Sequence, residues 1–343
     1  MKKALVLCLS LVLSALMVSC FQSEAAASPY DSLKPETLRY GNGAALGAAG
    51  DLWGIAFCKY VEEITGGKLK VDYFGNSQLG VDSEMQTQML AGDIDIVSCQ
   101  PGQTTTLVPA VAVYDLPLVF AKYDAATIDR ALNNSDFTKI INEKYGESHM
   151  ICLGILQGAT FRVMTSNVKI EKPADFKGIK IRTMNSPYHL AFWKALGANP
   201  TPLAFTELFM SLQQGVVQAQ ENANDTNASS NFQEVQKYLV NTRHLLYVNQ
   251  FLMNKRKFEG LDPAYQAAIR EAVAKATAEI APDLSKIDAE NCGKLVAGGM
   301  ENLEYGNTFY DELIEISQPV YKDIRSKIGD DVVDALISAL EGK

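Results

Sequence analysis

The 343-residue sequence predicts an α/β protein of two lobes, each with a mostly parallel sheet flanked by helices, and a long kinked helix crossing both. Three observations predict this class. Stretches with strand-like alternation take turns with stretches of helical spacing, first over residues 38–99 and again over 150–222. The length usually means two domains and, with 47% hydrophobic residues, allows substantial cores. An alanine-rich helical pattern then runs from Pro263 to about Gly298, broken only by Pro282.

The first residues stand apart from the fold. Lys2 and Lys3 precede an uncharged apolar run from Ala4 to Val18, and small residues then lead to Cys20. That run is shorter than the about 20 residues a membrane-spanning helix needs. Residues 1–19 therefore read as a secretory signal. Its ending resembles a bacterial lipoprotein signal, in which Cys20 becomes the acylated first residue. Residues 20–36 are a small-residue tether, and the expected location is the periplasm, with membrane attachment only through the lipid. Loss of the two signal lysines makes the net charge of −9 more negative still. Such a chain has no electrostatic footprint for nucleic acid, so positive charge at a ligand site must be local. Cys58, Cys99, Cys152 and Cys292 are far apart, lack metal-ligand spacing and read as free thiols.

In order, the pattern gives a strand at 38–43, a helix at 48–65 ended by Gly66-Gly67, a strand at 68–74, a helix at 81–92 and a strand at 93–99. This βαβαβ order implies parallel pairing. Helices at 123–133 and 135–146 lead to a strand at 150–156. A strand carrying Arg162 follows, then the strand GIKIRTM at 178–184, a helix at 187–196, a helix at 205–214 and a strand at 216–222. In GIKIRTM, Ile179 and Ile181 share one face and Lys180, Arg182 and Met184 the other. The pattern from Pro263 would reach about 50 Å if unbroken. Pro282 must kink it, because proline removes a helical hydrogen bond and clashes with the preceding turn. Helices at 308–327 and 330–341 close the chain.

Most motifs of chemistry are missing. Gly41-Asn42-Gly43 with Gly47 has the spacing GxGxxxG, which suits a tight turn better than a dinucleotide site. There is no GxxxxGK[ST], GxSxG or HExxH, and His149, His189 and His244 are not at metal-ligand spacing. No cofactor and no metal are expected. What remains is Arg162 and Arg182 on inner-looking strands. Arginine suits carboxylates because its planar fork donates two parallel hydrogen bonds. Buried without a partner it costs several kcal/mol, so each needs a protein acid or a ligand anion.

The stretch IEKPADFKGIKIRTMNSPYHLAFWKALGANPTPLAFTELFMSLQQGVVQAQENANDTNASSNFQEVQKYL, residues 170–239, closely resembles the solute-binding subunits of tripartite ATP-independent periplasmic (TRAP) transporters. NSQLG, DIDIVS, DLPLVF and FRVMTSN extend the likeness, which covers residues 37 to about 330. The resemblance implies a periplasmic-binding-protein fold with a ligand cleft between lobes. Lobe I would comprise 37–158 plus about 248–287, and lobe II 159–247 plus about 288–343. It implies a small-molecule carboxylate as ligand, with Arg182 as its principal contact, Arg162 as a second and Asn222 as a third. Asp82, Gln100, Phe161 and Phe205 are further cleft candidates. Gln218, Ala219 and Ala223 depart from the family's usual Asp, Gly and Pro, and Gly43 and Gln100 replace polar or acidic residues of sialate-binding members. These departures argue against a sialate, and apolar surface from Phe161, Phe205 and Trp193 near the cleft would suit a monocarboxylate with an apolar or modestly polar body. The implied partners are integral membrane TRAP subunits driven by an ion gradient. The alternatives are a secreted enzyme acting on a carboxylated substrate, or a lipoprotein passing ligand to a soluble helical-repeat or sensor protein.

Overall fold

The computed structural model describes residues 28–343, so the signal sequence and Cys20 lie outside the described residues. The fold occupies Pro35–Lys343. Strands β1 (Glu36–Asn42), β2 (Leu69–Phe74) and β3 (Ile96–Cys99) pair in parallel around β1, with α1 (Ala49–Thr65) and α2 (Asp82–Ala91) as the crossovers. After α3 (Ala125–Asn133) and α4 (Asp136–Glu147), β4 (Met150–Leu156) forms the far edge of this sheet.

The second sheet holds β5 (Phe161–Ser166), β6 (Lys180–Thr183), β7 (Asn199–Pro202), β8 (Ala219–Asn222) and β9 (Tyr238–Leu246). α5 (Pro187–Ala195), α6 (Leu208–Gln213) and α7 (Asn224–Ser229) connect them. β6 runs parallel to β7 and β8, whereas β5 is antiparallel to β8 and β9. The chain then returns to the first sheet as β10 (Asn249–Asn254), antiparallel between β3 and β4. Both sheets are therefore mixed. The parallel pairs come from the βαβ units, and the strands that cross between sheets bring the antiparallel ones.

After α8 (Lys255–Gly260), the long helix is split into α9 (Pro263–Ile280) and α10 (Leu284–Ala297) by a 3₁₀ turn holding Pro282. α9 lies on α1, where the Trp53 indole donates to Thr277 Oγ1 at 3.0 Å. α10 lies on α7, where Asp288 accepts from the Asn224 backbone and side chain at 3.1 and 2.9 Å. The two halves of the helix thus serve different sheets. Beside the kink, the β4–β5 connection passes so close that a Cβ on Gly158 would lie 2.2 Å from Leu284 Cβ. Only glycine permits that approach, and Ser285 Oγ ties it by donating to the Gly158 carbonyl at 2.6 Å.

Aromatic residues anchor each core. Tyr40, Trp53, Phe57 and Phe251 pack together under the first sheet, and Phe176, Phe192, Trp193 and Phe309 under the second. Burying each such side chain contributes about 2–3 kcal/mol. β11 (Glu301–Leu303) extends the second sheet beside β9. α11 (Asn307–Ile328) follows it, and its Phe309 and Leu313 join the second core. α12 (Asp330–Glu341) buries Val332, Val333 and Leu336 in the same core as Ile128, Leu132 and Phe137 of the first lobe's helices.

One contact ties the sheets together at the start of α1. Ala48, at the cap position, offers no side-chain hydrogen bond. Instead Asp225, from α7, accepts the backbone N–H of Ala49 at 2.9 Å. A carboxylate there satisfies an orphan donor and meets the positive end of the helix dipole. Asp225→Ala should lower unfolding free energy by about 1 kcal/mol, and Asp225→Asn by much less, since asparagine caps nearly as well. Urea titration of both variants measures the difference.

Candidate ligand-binding cleft

The carboxyl ends of the parallel strands of both sheets converge on one cavity of about 360 Å³, a volume suited to a small-molecule ligand. Asn42 and Gly43 end β1, Cys99 and Gln100 end β3, Arg182 ends β6, Leu203 follows β7 and Asn222 ends β8. The strands place these groups because each sheet's helices cover its faces and leave the strand ends open.

Arg182 is 2% exposed. Its Nε and Nη2 both donate to the Leu203 carbonyl, at 3.0 and 2.7 Å. Among the described residues no carboxylate lies within salt-bridge distance of it, and the guanidinium lines the cavity. Burial lowers its pKa to about 10; Glu221 and Asp82 oppose the shift, and Arg162 adds to it. The site therefore holds a cation whose charge is only distantly compensated.

Arg162 is in the opposite condition. Its Nε and Nη2 grip both carboxylate oxygens of Glu221, Nη2 also donates to the Glu221 carbonyl at 2.6 Å, and Nη1 donates to Gln100 Oε1. Glu221, 0% exposed, also receives the ring nitrogens of His189 at 3.3 Å and His244 at 3.1 Å. His189 meets Asp115 Oδ1 with its other nitrogen at 3.1 Å, so only the doubly protonated ring satisfies both carboxylates. Burial works against that proton, but Asp115 and Glu221 prevail and raise the pKa to about 9. His244 is pushed down by burial, and as a neutral ring it donates to Glu221 while Nδ1 pairs with Thr242 Oγ1 at 2.8 Å. Burial alone would raise the Glu221 pKa; Arg162 and the two histidines instead hold it well below the usual carboxylate range.

Of the residues expected at the cleft, Arg182, Arg162, Asn222, Asp82, Gln100 and Phe205 all line the cavity. Phe161 does not. Alternation along β5 turns it away from Arg162 into the apolar core with Leu246 and Val248, and Arg243 stacks over its ring at 4.7 Å. Trp193 is likewise core. Phe205 lies 5.9 Å from the Arg182 guanidinium, a cation–π distance. Asn222 Nδ2 is engaged by Gln220 Oε1 at 2.9 Å. Asp82 faces the cavity from the start of α2; burial pushes its carboxyl up to about 6, with Arg182 opposing.

Sequence reasoning missed Glu221, His189, His244 and Asp115, whose separation along the chain hides their meeting. It also missed Tyr247 and Asn249, which line the cavity from the crossing segment. Cys58, Cys99, Cys152 and Cys292 are free thiols, and Cys99 borders the cavity. Among the described residues no cluster of His, Cys, Asp or Glu could hold a metal ion.

A two-sheet frame with a polar cavity at its strand ends and a kinked helix across both halves defines an extracytoplasmic solute receptor. The chain belongs to the family described as bacterial extracellular solute-binding protein, family 7, which matches residues 53–327. It is 29% identical to the sialic acid-binding periplasmic protein SiaP of Vibrio cholerae, over 88% of this chain and 92% of that one. It is 30% identical to the 2,3-diketo-L-gulonate-binding periplasmic protein YiaO of Escherichia coli, over 80% and 82%. Among solved structures, the sugar acid binding protein DctPAm of Advenella mimigardefordensis, in complex with galactonate, superposes with a TM-score of 0.84 at 28% identity, covering 90% of this chain and 99% of that one. The family consists of periplasmic receptors for TRAP transport, not enzymes, which removes the secreted-enzyme alternative.

The His189 bridge sets a pH dependence. A histidine whose folded pKa is raised from 6.5 to about 9 contributes stability fully below pH 6.5 and loses it as pH rises through about 9. Chemical denaturation across that window should show the wild type losing its advantage over His189→Gln.

Proposed function

We propose that the protein captures a small organic acid between its lobes and presents it to the membrane subunits of a TRAP transporter. One observation carries this reading: Arg182 is buried at the cavity wall and, among the described residues, no acid lies within salt-bridge distance of it. A carboxylate ligand would supply the missing charge in two-point fashion, and water exclusion would strengthen the pair. Relatives that bind galactonate, β-D-galacturonate and D-erythronate support an acid as ligand.

Arg162 is the second ligand contact, and its engagement with Glu221 and Gln100 fixes it in place rather than leaving it free to follow the ligand. Asn222 lines the cavity, with one N–H of its amide donated to Gln220 Oε1. Lobe I comprises 37–158, about 248–287 and, from its packing, 330–341; lobe II holds 159–247 and most of the remainder. Closure brings Asp82 and Asn42 of lobe I against Arg182 of lobe II, so a ligand touching both favours the closed form. Cys20 carries the lipid that keeps the receptor at the membrane.

Two experiments test this. Titration calorimetry against organic acids should show Arg182→Ala losing on the order of 100-fold or more in affinity, with Arg182→Lys intermediate because it keeps the charge but not the fork. Unchanged affinity in Arg182→Ala overturns the assignment. For the anchor, Cys20→Ala should move the protein from the detergent phase to the aqueous phase on detergent partitioning; a wild-type protein already in the aqueous phase rejects it.

A further inference from the structure

Behind the wall of the ligand cavity lies a charge pair that does not itself line it. His189, 2% exposed, enters from the first turn of α5, where Ser186 Oγ accepts its backbone N–H at 3.4 Å. The same Ser186 hydroxyl donates to Asp115 Oδ2 at 3.0 Å, which leaves Asp115 Oδ1 for His189 Nε2. The line from Asp115 through His189 to Glu221 is thus fixed at both ends, by Ser186 at one and Arg162 at the other. A void of only about 10 Å³ borders the ring, at the lower limit for one water, so little solvent screens these charges.

The geometry decides which ring carries the charge. His189 lies between two carboxylates and must donate from both nitrogens, whereas His244 donates to Glu221 alone and finds Thr242 on its other side. His244 is also stacked on Phe192 at 5.1 Å, and burial, Arg162 and His189 all oppose a charge on it. The imidazolium is therefore His189. Besides its two acids, it meets the charge of Arg162 from β5 and the ring of His244 from β9 across Glu221, while Lys327 and Asp323 of α11 act on the neighbouring Tyr188. With the ring charged, Asp115 offsets His189 and Glu221 offsets Arg162, so neither acid is left for Arg182. Yet Glu221 acts on Arg182 more strongly than Asp82 does. Loss of the His189 proton would reverse this arrangement. Asp115 and Glu221 would then have one ring N–H between them, and the unneutralised charge of Glu221 would fall on Arg182.

We propose that His189 is a positioning residue for the acid site: held as an imidazolium between Asp115 and Glu221, it draws the charge of Glu221 away from Arg182 and so keeps Arg182 available to a ligand carboxylate. The proposal rests on Arg182 being the carboxylate contact. Because His189 acts through Glu221 and lies outside the cavity lining, it sets affinity for acids in general and leaves the choice among them to other residues. A glutamine in its place could satisfy one carboxylate but supplies no charge. The sign of the pH effect follows. The ring is charged below its raised pKa of about 9, so acids bind at full strength through neutral pH and lose affinity as pH rises through about 9.

The test is calorimetry of the purified protein with galactonate, D-erythronate, succinate and hexanoate as probes, all ionised from about pH 7 to about pH 10. For the probe that binds most tightly, wild-type affinity should fall about tenfold as the ring loses its charge. His189→Gln should already be about tenfold weaker near pH 7 and should lack that fall. Arg182, lowered to about 10, adds a loss at high pH that both proteins share, so the difference between them reports His189. Asp115→Asn keeps the ring but removes its offsetting charge, and should move the fall to lower pH, which a merely structural role would not do. Circular dichroism and melting temperature check that both variants fold. Nitrogen NMR of histidine-labelled, ligand-free protein is a second arm that needs no acid: the ring signal missing from His189→Gln should have imidazolium shifts near neutral pH. A neutral ring there overturns the proposal. Acids that bind His189→Gln as tightly as wild type at every pH overturn it too, and leave the Arg182 reading standing. Failure of all four acids to bind the wild type overturns the Arg182 reading, and this proposal with it.

Discussion

The structure turns on how two buried guanidinium groups share one buried acid. A carboxylate has room for about four good donors, and Glu221 receives Arg162 through two nitrogens and a histidine on each oxygen. It has nothing left for Arg182. Had the fold supplied a second acid beside β6, both arginines would be closed ion pairs and the cavity would repel nothing and attract nothing. Because it does not, Arg182 keeps its charge at the cost of desolvation, and the compensating charge must come from outside. The Glu221 cluster also stiffens that arrangement: a ligand cannot draw Arg162 away without stripping the Glu221 carboxylate of its guanidinium donors in a dry interior.

The remainder of the fold holds this charge at the wall of the cavity where the strand ends of the two sheets meet. Among the described residues, the β4–β5 segment, the β9–β10 turn, the 3₁₀ turn at Pro282 and the α11–α12 turn carry the chain between the two halves. Gly158 and Leu284 place two of them in van der Waals contact, so rotation of one lobe must be taken up by both together. Pro282 suits that role because its missing N–H already weakens the helix there. The α9 half packs on α1 and the α10 half on α7, so in the proposed closure each half would travel with its own lobe.

How much of this could be read from the residues depends on the range of the interactions. The βαβαβ order and the break at Pro282 are local and appear in the periodicity. β7 escaped because Pro200 and Pro202 argue against a strand, and they are tolerated only because β7 is the sheet edge. α7, with the sequence NDTNAS, escaped because its residues are poor helix formers held in place by Asp288 and the Gln220–Asn227 contact. Arg182 could be singled out from strand alternation and from the resemblance of KIRT to a family motif. The same alternation, applied to β5, would have excluded Phe161 once Arg162 was placed inward. Glu221 stood in plain view within QEN, but its role depends on His189, 32 positions earlier, and His244, 23 positions later. No spacing rule joins residues brought together by sheet order.

The magnitude of the Arg182 effect decides where binding energy arises. A guanidinium displaced from 12.5 to about 10 carries on the order of 3 kcal/mol of penalty in its charged form. An anion that restores the charge balance relieves that penalty. It does so for any carboxylate, because the Leu203 carbonyl already fixes the fork and the arginine reads charge and plane alone. Discrimination among acids must therefore come from groups that differ in what they accept or donate, and those stand on the other lobe. Affinity anchored on one lobe and selectivity on the other means that a wrong acid can occupy Arg182 without completing the contacts across the gap. In the proposed mechanism closure would then be the selective step, since only a ligand that satisfies both walls offsets the entropy of bringing them together.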